Sequence, residues 1–67
     1  MTHGKQLTLL DTAALLAKPT LLTREVAALL SVSPRTVERY LNDGRLAFRT
    51  TPGGHRRTLT QSLLRYL

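Results

Sequence analysis

Arg45, Arg49, Arg56, Arg57 and Arg65 fall within residues 44–67 with no acid among them. Residues 23–43 instead balance Arg24, Arg35 and Arg39 against Glu25, Glu38 and Asp43. The net charge of +6 is therefore concentrated at one end of the chain. A guanidinium is a planar, permanently charged fork that matches phosphate oxygens and base edges. Uneven basic charge of this kind points to nucleic acid; a solubilising surface is the alternative. A second group carries different chemistry. Arg35, Glu38, Arg39 and Asn42 recur at helical spacing, and these are side-chain types that read guanine, cytosine and adenine in a major groove. Thr36 flanks them. Ser33, Arg35 and Thr36 cluster where that helix begins, and free backbone amides at such an end favour phosphate. The alternative there is a solvated helix face with an internal Arg35–Glu38 pair.

Other chemistry lacks material. Cysteine is absent, which removes disulfides and thiolate chemistry together. His3 and His55 have no further ligand near them in sequence, so no metal is expected. There is no nucleophile–base pair and no phosphate loop, so neither an enzyme nor a cofactor is expected. Apolar runs are too short to span a bilayer, and Met1–Gln6 precedes no long apolar stretch. A cytoplasmic protein, nucleoid-associated and without a membrane, is the expectation. At 67 residues the chain makes one small core, burying about 60% of the surface exposed on unfolding.

The basic and base-reading groups need elements to hold them. Pro19 divides the chain into an arm or short additional helix (1–20) and a domain (21–67). Within the arm, Leu7–Ala17 reads as a helix capped by Thr8. Thr23 is a candidate N-cap for the next helix, with Glu25 suited to its dipole. Val26, Leu29 and Leu30 share a face, and the helix stops at Ser31. Ser33-Pro34 opens another helix, Pro34 taking the first helical position. Val37, Tyr40 and Leu41 form its apolar stripe, and Gly44 ends it. At about 100° per residue, Arg35, Glu38, Arg39 and Asn42 lie opposite that stripe. Residues 47–50 and 55–58 read as strands around a Thr51-Pro52-Gly53-Gly54 tip that needs glycine freedom. Thr60 is a candidate cap for a last helix with Leu63, Leu64 and Leu67 inward and Tyr66 at the edge. Tyr40 and Phe48 are expected in the core rather than as base-stacking platforms. The order describes a mostly α fold with a small β-hairpin, in which two helices and a short turn form a helix-turn-helix. Small Ala27 suits the close approach of its two helices, and Ser31 stands where the turn prefers Gly.

Val26-Ala27, Val32-Ser33-Pro34-Arg35-Thr36-Val37, Arg39-Tyr40, Gly44-Arg45-Leu46 and Gly53-Gly54-His55-Arg56-Arg57 together resemble the MerR-type winged helix-turn-helix. They are most similar to free-standing BldC-type regulators and to phage and plasmid excisionases. The resemblance runs from Leu21 to Leu67. It implies that the second helix enters a major groove while the hairpin wing touches flanking backbone or minor groove. The implied DNA-binding residues are Thr23, Ser33, Arg35, Thr36, Glu38, Arg39 and Asn42 on the helices, and Arg49, Gly53, Gly54, His55, Arg56 and Arg57 on the wing. It further implies one-domain proteins, without a dimerising coiled coil, that bind head to tail on direct repeats. Two features depart from the pattern. Thr58 replaces the frequent aromatic, and the first wing strand is shifted by one residue, which leaves both sheet faces open to Arg49. His55 either touches phosphate or shapes the hairpin.

The function expected is sequence-specific binding of double-stranded DNA by a small transcription regulator, with neighbouring copies of itself as partners. One alternative is an excisionase that coats and bends an attachment site beside an integrase. Another is a protein-interaction module docking through Leu7–Leu22.

Overall fold

Leu21, Val26, Ala27, Val37, Leu41, Leu46 and Leu63 form one buried cluster, with Leu15, Leu16, Leu29, Leu30, Val32 and Tyr40 packed around it. The computed structural model describes residues 9–67. The elements that bring these side chains together are α1 (Leu9–Leu16), β1 (Thr20–Leu21), α2 (Thr23–Leu30), α3 (Pro34–Asn42), β2 (Phe48–Thr50), β3 (Arg56–Leu59) and α4 (Thr60–Tyr66). This is a winged helix-turn-helix with an additional N-terminal helix. Leu7, the Thr8 cap and His3 lie outside the described residues. No described helix is long and apolar enough to cross a membrane.

The two helices of the motif end in the same way. After α2, Ser31 takes the left-handed conformation at φ 58° and ψ 43°. The N–H of Ser31 reaches Ala28 O at 3.4 Å, and the N–H of Val32 reaches Ala27 O at 3.0 Å. After α3, Gly44 is left-handed at φ 80°. Its N–H donates to Leu41 O at 3.3 Å, and the N–H of Arg45 to Tyr40 O at 2.9 Å. Both are Schellman endings, in which one left-handed residue turns the chain back over the last turn. At the first ending this folds Val32 back over Ala27, whose small side chain is 5% exposed.

Helix starts follow the sequence less closely. Ser33 caps α3 as expected, its Oγ accepting the Thr36 N–H at 3.2 Å. Thr23 does not cap α2. Leu22 holds the cap position, and Thr23 is the first helical residue. The Glu25 carboxylate does the capping, accepting the Leu22 N–H at 2.8 Å and Lys18 Nζ at 2.8 Å. Thr60 is likewise the first residue of α4, after Leu59. Its N–H donates to Pro19 O at 3.1 Å and its hydroxyl to Lys18 O at 2.5 Å. Leu64 and Leu67 are 50% and 75% exposed, so only Leu63 of the three expected leucines is buried. Seven-residue α4 presents one narrow stripe inward, and Leu64 lies about 100° away from Leu63.

The sheet has a third strand that the sequence did not announce. β3 pairs antiparallel with β2 on one edge and β1 on the other. Leu21, Thr58 and Phe48 align across it, as do Arg57 with Arg49 and Leu59 with Thr20. Leu21 is 1% and Thr58 0% exposed, which marks the inner face. Residues two apart share a face, so Arg56 and Thr50 are on the inner side, and Arg49, Arg57, Leu59 and Thr20 on the outer.

Two stability measurements follow. A Ser held left-handed is strained by about 1–2 kcal/mol, while Gly adds roughly 0.5–1 kcal/mol of chain entropy. Ser31→Gly is expected to raise stability by about 0.5–1 kcal/mol; an unchanged or lower melting midpoint refutes the turn assignment. For Glu25, burial opposes its charge, but the bonds from Lys18 and from the Leu22 N–H outweigh burial and hold the carboxyl below its ordinary value. A depressed folded pKa means stability present above the unfolded value and lost as pH falls through the folded one. Glu25→Gln is expected to cost about 0.5–1 kcal/mol near neutral pH, with the gap to wild type closing below about pH 4. Urea unfolding across pH measures this, and a gap that persists in acid contradicts it.

Candidate nucleic-acid interface

Capping and packing use up one side of α3 and leave the other. Val37 and Leu41 are 0% and 3% exposed, while Arg35, Glu38, Arg39 and Asn42 are exposed. Among the described residues Arg35, Glu38 and Arg39 make no side-chain hydrogen bond or ion pair, so the internal Arg35–Glu38 pair does not form. Ser33 and Thr36 are partly committed to the cap, their hydroxyls 3.0 Å apart. Pro34 brings no N–H. The Arg35 N–H is left without a protein acceptor among the described residues.

Beside this face runs an open groove. Its walls are the start of α2 (Leu22, Thr23, Arg24), the first turns of α3 (Pro34, Glu38) and the wing (Gly54, His55, Arg56, Arg57). It holds Arg24, Arg56 and Arg57 against the single acid Glu38. The amides of Glu25 and Val26 are satisfied by Leu22 O. Those of Thr23 and Arg24 find no acceptor among the described residues, so the helix dipole and two free donors face the groove. Thr23 thus lines the groove, though not as the cap. Arg24 was not among the sequence candidates. Its signal was local, the second residue of a helix opening, and the balanced charge of residues 23–43 hid it.

The wing resolves the remaining candidates. Thr51 N–H to His55 O at 2.8 Å and Gly54 N–H to Thr51 O at 2.9 Å close the tip. Gly54 is left-handed at φ 85°. Gly53 is not, so only one of the two tip glycines needs glycine freedom. The His55 ring packs beside Gly53, where an added Cβ would meet Cδ2 at 3.4 Å. His55 therefore shapes the tip while also lining the groove. Arg49 points to the outer face, directly opposite Arg57. A cleft there adds Pro19, Thr20 and Leu59 to the two arginines and no acid. Arg57 Nε is buried with no acceptor among the described residues. Like charges directly opposed across strands destabilise a sheet, and an anion between them would relieve both conditions. Phe48 is 40% exposed rather than core. The Arg56 guanidinium covers it at 5.1 Å from the ring centroid, and Arg56 Nη1 donates to Asn42 Oδ1 at 2.8 Å. Two expected DNA contacts are thus bonded to each other.

The family described as "Helix-turn-helix domain" matches residues 21–67, most of the chain and all of this interface except Pro19 and Thr20. The chain belongs to that family. No curated protein and no solved structure gives a significant match. Membership makes this helix-turn-helix protein a DNA-binding one, with double-stranded DNA as its partner. Within residues 21–67 α3 is the second helix, and its exposed face carries Arg35, Glu38 and Arg39.

The tip geometry is directly testable. Gly54→Ala is expected to cost about 1–2 kcal/mol through its positive φ, and Gly53→Ala no more than a few tenths. Equal losses in thermal melts of the two variants would contradict the assigned tip.

Proposed function

We propose that this protein is a sequence-specific regulator of transcription that binds direct repeats cooperatively. One observation carries the reading. The free row Arg35, Glu38, Arg39 on α3 adjoins a basic groove leading to the wing, so base edges and flanking phosphates can be engaged together. Arg35, Glu38 and Arg39 are the base readers. Thr23, Arg24, Ser33 and Thr36 hold phosphate at the two helix starts. Arg49 and Arg57 clamp the backbone beyond the wing, with His55 and Gly54 giving the tip its shape. The likeness to MerR-type and BldC-type proteins supports the arrangement. Cooperative assembly follows from the small footprint of one recognition helix and one wing. Head-to-tail contacts between copies are open-ended and suit direct rather than inverted repeats.

Selection from a randomised duplex pool, followed by binding titrations at several salt concentrations, tests this. Arg35→Ala or Arg39→Ala is expected to cost about 1–3 kcal/mol and to relax preference at one or two base pairs. Arg49→Ala or Arg57→Ala is expected to weaken all sequences alike and to lower the salt slope by about one unit for each lost phosphate contact. Recognition-helix variants that leave both affinity and preference unchanged overturn the assignment. A weak salt dependence with no discrimination between duplexes favours a protein-interaction module. Sharp bending of a site next to an integrase gene favours an excisionase.

A further inference from the structure

Asn42 is the last residue of α3 and Arg56 the first of β3. We propose that these two residues form a positioning pair that fixes the wing against the recognition helix, rather than two separate DNA contacts. The proposal rests on the DNA-binding reading and deepens it.

Three observations carry it. The bond between Arg56 Nη1 and Asn42 Oδ1 is 2.8 Å long and joins residues 14 apart. Among the described residues it is the only side-chain hydrogen bond from α3 to the wing. The guanidinium is also held from a second side, against the Phe48 ring at 5.1 Å. Phe48 and Arg56 share the inner sheet face, so the strand register aims the donor at α3. Finally, the sheet packs chiefly against α2 and α4. Between α3 and the wing the chain runs through residues 43–47, turning at left-handed Gly44. Backbone bonds from the Arg45 and Leu46 N–H groups to Tyr40 O and from the Leu59 N–H to Ala47 O hold that segment, and the Asn42–Arg56 bond adds a direct side-chain tie across it.

The chemistry of both groups agrees. An Asn reading adenine uses Oδ1 and Nδ2 together. Here Oδ1 already accepts from Arg56, so a bidentate base contact competes with that bond for the orientation of the amide. On the other side, a guanidinium stacked on an aromatic ring and bonded at one Nη has lost the freedom to follow a phosphate. The pair instead sets how far from the base-reading row the wing tip lies, and so which flanking phosphates Arg57 and the tip can reach.

The experiment uses the full chain and the duplex that wild type selects from a randomised pool. Variants are Asn42→Ala, Asn42→Asp, Arg56→Ala and the double Asn42→Ala/Arg56→Ala. Asp keeps an acceptor for Arg56 but cannot donate to adenine, which separates positioning from base reading. Asn42→Ala is expected to lose about tenfold in affinity, with hydroxyl-radical protection fading under the wing but kept under α3. The double variant is expected to bind no more weakly than Arg56→Ala alone. Asn42→Asp is expected to keep the base preference and the relative wing protection, even where its added charge lowers affinity. A preference that changes at one base pair in both Asn42 variants, with wing protection intact, overturns the proposal. So do additive losses. In the free protein, amide shifts over residues 48–57 are expected to move in Asn42→Ala and to return in Asn42→Asp. Shifts that stay put refute the pair whether or not any duplex is bound, whereas a wild type that selects no duplex refutes the DNA reading alone.

Discussion

Strand β3 is hydrogen-bonded along both edges, to β1 and to β2. Its register places Leu21, Thr58 and Phe48 in one row on the inner face and Arg57 opposite Arg49 on the outer. Every basic group on the wing takes its direction from that alternation. A slip of one residue would turn Thr58 out of the core and drive Arg57 into it, so burial of Leu21 and Thr58 enforces the orientation of the charges. The same strand anchors what precedes the domain. Thr60, immediately after β3, holds the carbonyls of Lys18 and Pro19, which keeps β1 on its edge and delivers Leu22 to the start of α2.

The helices meet this sheet through two identical chain reversals. Each needs one left-handed residue, supplied by Ser31 after α2 and Gly44 after α3. The first brings Ala27 and Val32 close enough for α3 to cross α2 tightly. The second hands the chain toward the wing, and its outgoing residue Arg45 lies over the Tyr40 ring at 5.5 Å. Tyr40 in turn faces Tyr66 of α4 at 5.5 Å between centroids. The face of α3 that carries Arg35, Glu38 and Arg39 is exposed because its other sides are occupied by α2, by the core and by this aromatic contact.

The motif was legible because its signals are local. Ser33-Pro34 with Thr36 specifies a helix start within four residues, and Gly44 a stop within one. The alternation of apolar and charged positions on α3 assigns its two faces without any knowledge of neighbours. What escaped depends on long-range pairing. Two-residue β1 is too short to show alternation, and it exists because β3 offers an open edge. The α2 cap was misread because Thr23 is a good cap in isolation, whereas tertiary pairing places the chain so that Glu25 reaches back to Leu22. Leu64 and Leu67 read as core from composition, yet a seven-residue helix has room to bury only Leu63. The candidate interface was found mostly by residue type. The Asn42–Arg56 bond was missed because it depends on which surfaces adjoin in space, and Arg24 because the balanced charge around it hid an arginine at a helix opening.

Thr58 has a consequence of its own. It is 0% exposed, and its hydroxyl has no partner among the described residues. A desolvated, unpaired hydroxyl costs about 1–3 kcal/mol, a large share of what holds so small a domain together. A methyl in its place would fill the same volume without that penalty. The fold therefore lies below the stability its own backbone permits. That slack bears on which changes the exposed face of α3 tolerates. A new side chain on that face that weakens the domain draws on the same small margin. A single change at Thr58, in the core and away from that face, offsets such a loss. Substitutions on α3 can then accumulate through intermediates that still fold.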